Sequence, residues 1–136
     1  MAVKWNRAIW SNVRNEVRKQ IAIETEAVKT EAISLIFDTP KTGRVYTRGS
    51  IVHQASAPGE PFANDTGNAV AHITTRFEDD YLTGIVNAGA EYAAFLELGT
   101  AKMAPRPVFR PALANREKDI RKNIAKAVRR GINISG

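Results

Sequence analysis

The stretch Ile73–Ala88, ITTRFEDDYLTGIVNA, decides the fold class of this chain. Two short runs rich in Thr, Ile, Val and aromatic residues flank Asp79 and Asp80, a pattern typical of two strands joined by a turn. It therefore predicts an antiparallel hairpin. Directly downstream, Glu91–Gly99 predicts a short helix that ends at Gly99, because glycine favours the position that follows a helix.

A long helix is predicted on the N-terminal side, over residues 4–38 (block 1–38), where Pro40 stops it. Its apolar residues, mostly three or four apart, are Trp10, Val13, Val17, Ile21, Val28, Ala32 and Leu35, and Glu24 interrupts them. Such a helix is about 50 Å long, whereas a compact domain is about 30 Å across. We therefore expect part of it to project or to pack on another subunit, unless it breaks.

On the C-terminal side, the proline-rich Ala104–Leu113, APRPVFRPAL, predicts extended chain that enters a helix at Pro111. That helix is expected over 111–130, with a frayed tail, and residues 65–113 supply an α/β core. The expected fold is one α+β domain over 1–136. A small antiparallel β-sheet is flanked by a long N-terminal helix and a basic C-terminal helix, with a long extended loop.

The extended loop is residues 39–64, which show no hydrophobic period and contain three glycines and three prolines. The loop overlaps the stretch His53–Gly67, HQASAPGEPFANDTG, which has few apolar side chains. This stretch could be a linker, a catalytic loop or an ordered arm that binds a neighbouring subunit. Asp65-Thr66-Gly67 matches the triplet of aspartic proteases, which need two carboxylates sharing a proton. That triplet follows a buried strand in those enzymes, but here it follows PGEPFAN. Asp65 is therefore predicted to cap a helix over 66–72.

Charge is unevenly distributed along the chain. Of the net +6, residues 105–136 hold nine basic and two acidic side chains, whereas residues 68–104 hold two basic and five acidic ones. The basic helix is a candidate either for nucleic acid phosphates or for an acidic neighbouring surface. The second is favoured, because no aromatic residues for base stacking lie between the basic ones.

Several function classes find no support in the sequence. The chain has no cysteine, and its two histidines lack metal-ligand spacing. It has no glycine-rich phosphate loop and no nucleophile motif. We therefore expect no catalysis, no metal and no cofactor. No apolar run of about 18 residues occurs, which predicts no membrane span.

Four blocks taken together resemble the small tail-completion or neck proteins of tailed bacteriophages, the head–tail joining proteins. They are Gly43–Gly49, His53–Gly67, Glu91–Thr100 and Ala104–Leu113. The resemblance implies a structural virion protein that forms a homo-oligomeric ring, expected to be a hexamer, around the DNA channel. Its partners would be portal, adaptor or stopper proteins on the head side, and the tail terminator or tail tube on the other. It would be assembled in the host bacterial cytoplasm.

The resemblance also implies which residues hold neighbours. The arm residues are Arg44, Tyr46, His53, Pro58, Gly59, Glu60, Pro61 and Phe62. The interface or core residues are Tyr92, Phe95, Glu97, Arg106, Phe109 and Arg110. The basic docking surface is Arg121, Lys122, Lys126, Arg129 and Arg130. The candidates for the channel or ring interface are Glu78, Asp79 and Asp80. Two alternatives stay open: a tail terminator ring protein, and a stand-alone basic nucleic-acid-binding module.

Overall fold

The computed structural model describes residues 6–63, 68–89 and 93–135. In chain order these contain α1 (Arg7–Asp38), β1 (Val45–Arg48), β2 (Ile51–Gln54), α2 (Asn68–Ala71), β3 (Ile73–Glu78), β4 (Thr83–Ala88), α3 (Ala93–Leu98) and α4 (Phe109–Ser135). The predicted α+β class with long terminal helices is confirmed. The described strands form two separate antiparallel pairs, β1–β2 and β3–β4, rather than one small sheet.

The first helix begins and ends with side-chain caps. At its start, the Asn6 side chain accepts hydrogen bonds from the amides of Ala8 at 2.9 Å and Ile9 at 3.4 Å. At its end, Lys41 Nζ donates to the carbonyls of Ile36 and Thr39. Burial lowers the pKa of Lys41 below its ordinary value. The helix runs unbroken over its 32 residues, which is about 48 Å.

The two long helices pack antiparallel, so the expectation that part of α1 projects from the domain is wrong, and its packing on another subunit stays a prediction. Val13 near the start of α1 lies against Gly131 near the end of α4, and Ile36 shares a core with Val108. Gly131 is buried, and a Cβ there would strike the Val13 backbone. A basic helix of 27 residues, about 40 Å, therefore covers most of α1.

The last helix is longer than predicted at both ends. It begins at Phe109 rather than Pro111 and continues to Ser135, so the tail expected to fray is helical. The reason is tertiary, since α1 lies alongside this tail and Arg130 donates to α1 side chains. The hydrophobic core forms where α1 meets α4, β3 and the segment after β2. Its members are Val28, Ala32, Ile36, Phe62, Ile73, Val108 and Ala112.

The predicted hairpin at residues 73–88 is confirmed, with β3 and β4 paired from Ile73 opposite Ala88 to Glu78 opposite Thr83. Its turn holds Asp79, Asp80 and Tyr81 at φ of 51°, 57° and 65°, a left-handed region that costs energy for a bulky residue. Arg18 of α1 supports this turn by donating to the Asp80 carbonyl at 2.9 Å and to its carboxylate.

The described part of the predicted arm, residues 39–63, contains secondary structure, so the prediction of an extended arm without it is wrong. These residues contain the β1–β2 hairpin, whose two-residue turn is Gly49-Ser50 with Gly49 at φ 63°. A Gly-Ser pair between β-forming residues is a recognised hairpin signal. Because the segment pairs with itself, the backbone groups that each strand turns towards the other are satisfied without a neighbour. The helix predicted over 66–72 is represented by α2, while Asp65 lies outside the described residues.

Candidate assembly site

A carboxylate from α3 organises the start of α4. Glu97 accepts hydrogen bonds from the amides of Val108 at 2.7 Å, Phe109 at 3.2 Å and Arg110 at 2.8 Å. These are the unsatisfied donors that every helix start presents, and a negative charge there is favourable. The short helix ends as predicted, with Gly99 at φ 77° and its amide bonded to the Phe95 carbonyl. Glu97 therefore fixes how α3 meets α4.

Arg106 links the chain after α3 to the chain after β2. Its Nε donates to the carbonyl of buried Ser56 at 3.2 Å, and its amide donates to the Leu96 carbonyl at 2.6 Å. The Gly59 amide donates to the Pro105 carbonyl at 2.9 Å. Two blocks about fifty residues apart in sequence are thus joined by one side-chain-to-backbone bond and one backbone-to-backbone bond.

Glu60 closes the loop that carries the β1–β2 hairpin. Its carboxylate accepts from the Thr42 hydroxyl, from the Thr42 amide at 3.0 Å and from the Ala57 amide at 2.8 Å. The Thr42 hydroxyl bond, followed by the two amide bonds, lowers the pKa of Glu60 below its ordinary value. We call Thr42, Ser56, Glu60, Glu97 and Arg106 the junction. They draw together three of the four resemblance blocks, and the remaining block begins the hairpin.

The β1–β2 hairpin has two unlike faces. Tyr46 and His53 are directly opposite and stack with ring centroids 5.7 Å apart. They line a pocket with Ile36 and Phe37 at the end of α1, whereas Ile51 next to the turn, on the same face, is 57% exposed. Val45 and Val52 belong to the opposite face and are 56% and 67% exposed. We call the exposed surface of Val45, Thr47 and Val52 the outward face.

The arm residues predicted from sequence divide between surface and interior. Arg44, Pro58 and Gly59 are exposed, Tyr46, His53 and Glu60 are partly buried, and Pro61 and Phe62 are buried. The assignment of Phe62 to a partner interface is wrong, because only 4% of it is exposed and it belongs to this chain's own core. Its neighbours in the core come from elements far away in sequence.

The interface or core residues also divide. Phe109 packs against the hydrophobic core, and Phe95 is 57% exposed on α3 beside exposed Leu98. Arg110 is exposed while its amide is held by Glu97. Tyr92 lies outside the described residues. Leu98 was missed from sequence because it looks like an ordinary core leucine next to the helix end.

The basic docking surface is only partly free for a partner. Arg130 donates to Glu16 at 3.3 Å and to Gln20 at 3.1 Å, so it faces its own α1, contrary to the prediction. The pKa of Glu16 is lowered mainly by the hydrogen bond from Lys19 and next by the bond from Arg130. Arg121 pairs with Glu117 one turn earlier. Lys122, Lys126 and Arg129 are exposed and form no ion pair with any residue in the described ranges.

An open apolar groove of about 400 Å³ lies between α1, β4 and α4. Its walls are made by Ile21, Thr25, Val28, Leu82, Gly84, Val86, Phe109, Leu113, Ile120 and Ile124, with Glu24 among the lining residues. Leu82 and Leu113 are 40% and 54% exposed and form its rim. We call this feature the groove. Within it, Gly84 lets β4 approach Thr25 of α1 closely.

Glu24, which interrupts the apolar stripe of α1, is the centre of a buried polar network. It is 4% exposed and accepts hydrogen bonds from Gln20 at 2.9 Å and Asn123 at 2.6 Å, with Arg116 at 3.5 Å. In the sequence, Glu24 is only an interruption of the apolar spacing. Its partners on α4, Arg116 and Asn123, are about a hundred positions away in sequence. The residues around Glu24 therefore do not predict which side chains it binds.

The acidic channel candidates lie at the β3–β4 turn. Glu78 pairs with Arg76 and Asp80 with Arg18, while Asp79 accepts from the Thr83 hydroxyl. The Asp-Thr-Gly triplet at 65–67 lies outside the described residues. Across the described ranges, no three His, Asp or Glu side chains are grouped to hold a metal ion. None of the helices within them is long and apolar enough to cross a membrane.

Comparison with known proteins returned no match to any family model, curated protein or solved structure.

Proposed function

We propose that this chain is a structural protein of the neck of a tailed bacteriophage virion. Its copies form a homo-oligomeric ring that joins the capsid connector to the tail around the DNA channel. The observation that carries the proposal is the junction. Three of the four blocks that resemble neck proteins converge there: Glu97 accepts from Val108, Arg106 donates to Ser56 and Leu96, and Gly59 donates to Pro105.

The β1–β2 hairpin supports an assembly role. A lone two-stranded hairpin is marginal in water, and this one pairs with no third strand in the described chain. Its outward face exposes Val45 and Val52, and its outer edges offer unpaired backbone groups. The junction holds its base through Thr42 and Glu60. A hairpin that is held at its base and exposes an apolar face is suited to binding a neighbouring subunit.

Deletion of the gene in the phage or prophage that encodes the chain tests this proposal. Filled heads and finished tails should accumulate separately, as seen by electron microscopy, and the purified chain should restore joining. The matched control is a rescue by Ile23→Ala, a change at an exposed position outside the hairpin, junction and groove. Joined, infectious particles in the absence of the chain would refute the proposal. The tail terminator alternative predicts tails of uncontrolled length instead.

One observation favours a second candidate, a stand-alone nucleic-acid-binding module. Lys118, Lys122, Lys126 and Arg129 are all exposed within about three turns of α4, a stripe that could contact two or three phosphates. For this candidate, the isolated chain should bind duplex DNA with an affinity that falls steeply as salt rises. Substituting all four residues with Gln should then abolish binding. Absence of binding by the wild-type chain at low salt would eliminate the candidate.

A further inference from the structure

The groove is incomplete within one copy of the chain. It is open to solvent, and its rim residues Leu82 and Leu113 are 40% and 54% exposed. Leu82 is presented by the strained turn of β3–β4, which Arg18 holds in place. The strained turn thus holds the apolar side chain of Leu82 exposed beside an apolar concavity. Strained backbone and exposed apolar patches are both typical of binding surfaces, which favours an apolar occupant of the groove.

The outward face of the β1–β2 hairpin has the matching character. Val45 and Val52 lie diagonally on adjacent strands of this face and are both more than half exposed. The hairpin is narrow, since each strand has four residues and the turn has two. It is therefore a convex apolar element, whereas the groove is a concave one.

The two surfaces do not meet inside a single copy, because no described residue of the β1–β2 hairpin lines the groove. Tyr46 and His53 face the end of α1 at Ile36 and Phe37, so the outward face points away from that helix. The groove lies further back along α1, from Val28 towards Ile21. Val28 and Ile36 are separated by about 12 Å of helix. Occupation of the groove by the outward face therefore requires two copies.

Charge favours the same pairing. The hairpin segment 44–54 contains two arginines and no carboxylate. Glu78, Asp79 and Asp80 lie beside the rim residue Leu82, and Asp79 forms no ion pair with any described cation. Opposite charges at the edge of an apolar contact set its orientation and disfavour wrong partners.

We infer that the outward face of the β1–β2 hairpin of one copy occupies the groove of the next copy. Because the two surfaces differ, the contact is head-to-tail, and repeating it around an axis closes a ring. The inference rests on the proposed ring and names the surfaces that build it.

Cysteine cross-linking tests the contact, because the natural chain has no cysteine. Val52→Cys protein mixed with Leu113→Cys protein and a short bis-maleimide should give covalent dimers. The yield should be on the order of tenfold above that of a Val52→Cys and Ile23→Cys mixture, because the contact raises the effective concentration of the two thiols. Ile23 is exposed on α1 and does not line the groove. Equal yields in the two mixtures would overturn the inference.

The double variant Val52→Cys/Leu113→Cys separates contacts between copies from contacts within one copy. The inference predicts a ladder of covalent multimers that ends at one closed species. Cross-linking that yields only an internally closed monomer would mean that the hairpin folds back onto its own groove, and would overturn the inference.

Charge substitutions give a measurement that does not depend on cross-linking. Val52→Asp and Leu113→Asp should each weaken self-association, with an apparent dissociation constant raised on the order of ten- to a hundredfold. Ile23→Asp should leave it unchanged. An equimolar mixture of the first two should stop at heterodimers by native mass spectrometry, because only one intact hairpin and one intact groove remain. Circular dichroism checks that each variant is folded; normal oligomers from folded Val52→Asp would overturn the inference.

The results also distinguish this inference from the proposed function. If hairpin and groove cross-link but heads join tails without the chain, the neck function fails and the contact stands. If deletion blocks joining but neither cross-linking nor Val52→Asp has an effect, the neck function stands and the contact fails. If Leu113→Asp blocks joining while homo-oligomers form normally, the groove receives a different protein and the inference is overturned.

Discussion

At the scale of single residues, Glu97 is the side chain that caps the start of α4. Glu97→Ala leaves the amides of Val108, Phe109 and Arg110 without their acceptor at the start of α4. Hydrogen bonds to a charged group contribute about 1.5–3 kcal/mol each, so we expect a loss of about 3 kcal/mol in the free energy of unfolding after water replaces some of them. Urea denaturation measures it.

The control for this prediction is Glu117→Ala, which removes an exposed carboxylate whose partner is Arg121 one turn away. Exposed pairs of this kind contribute about 0.2–1 kcal/mol. Equal losses from the two variants would show that Glu97 does not act as the cap of α4.

Glu60 should make stability depend on pH. Hydrogen bonds from Thr42 and Ala57 lower its pKa below the ordinary value of 4.5 in the folded chain. The stabilisation is therefore fully present above that value and is lost as the pH falls through the lower, folded pKa. Glu60→Gln should be less stable than wild type at neutral pH, and the difference should shrink towards pH of about 3.

Unfolding curves of wild type and Glu60→Gln, recorded between neutral pH and about 3, measure this difference. Glu117→Gln is the matched variant outside the junction. A gap between wild type and Glu60→Gln that stays constant across this range would contradict the prediction.

At the scale of elements, the packing of the β3–β4 hairpin on α1 depends on Gly84. A Cβ at this position would lie directly on Thr25 Oγ1, which donates to the Ile21 carbonyl at 2.7 Å. Gly84→Ala should therefore push the hairpin away and destabilise the chain by about 1–3 kcal/mol, the usual cost of overpacking. Thermal or urea unfolding measures the loss.

Thr25→Ala in the same chain should recover part of the loss, because it removes the atom that the new methyl group meets. Gly89→Ala, where the added Cβ meets the His72 carbonyl oxygen at 3.3 Å, is the milder comparison. Additive effects of Gly84→Ala and Thr25→Ala would show that the two residues are not in contact.

At the scale of the whole molecule, the basic surface of α4 should matter for assembly and not for folding. Lys122, Lys126 and Arg129 form no ion pair in the described chain, so changing all three to Gln should alter stability by less than about 0.5 kcal/mol. Arg130→Gln should cost more, because it removes the bonds to Glu16 and Gln20 on α1.

Particles that carry the triple Gln variant indicate what this surface binds. A strongly basic channel would retain DNA, so we expect these residues to face acidic neighbouring proteins, and joining of heads to tails should fail. Particles that join normally and then lose packaged DNA would identify the surface as a DNA clamp and contradict the expectation.

The sequence alone determined the features that depend on neighbours close in the chain. Alternating β-formers around Asp79 and Asp80 predicted the β3–β4 hairpin, three-to-four spacing predicted α1, and Gly99 predicted the end of α3. The α+β class follows from these. The Gly49-Ser50 hairpin carried a signal of the same local kind, but the surrounding prolines and glycines obscured it.

Tertiary structure alone decided which surfaces of these elements face each other. Three contacts join groups that are distant in sequence. Phe62 is buried in the core, Glu24 accepts a hydrogen bond from Asn123, and Glu97 caps α4. A local sequence pattern cannot specify such pairs. A polar residue in an apolar stripe gives the same pattern whether or not a distant residue forms a hydrogen bond with it. The groove and the outward face of the hairpin arise for the same reason, since they are what remains exposed after α1, α4 and β4 have packed.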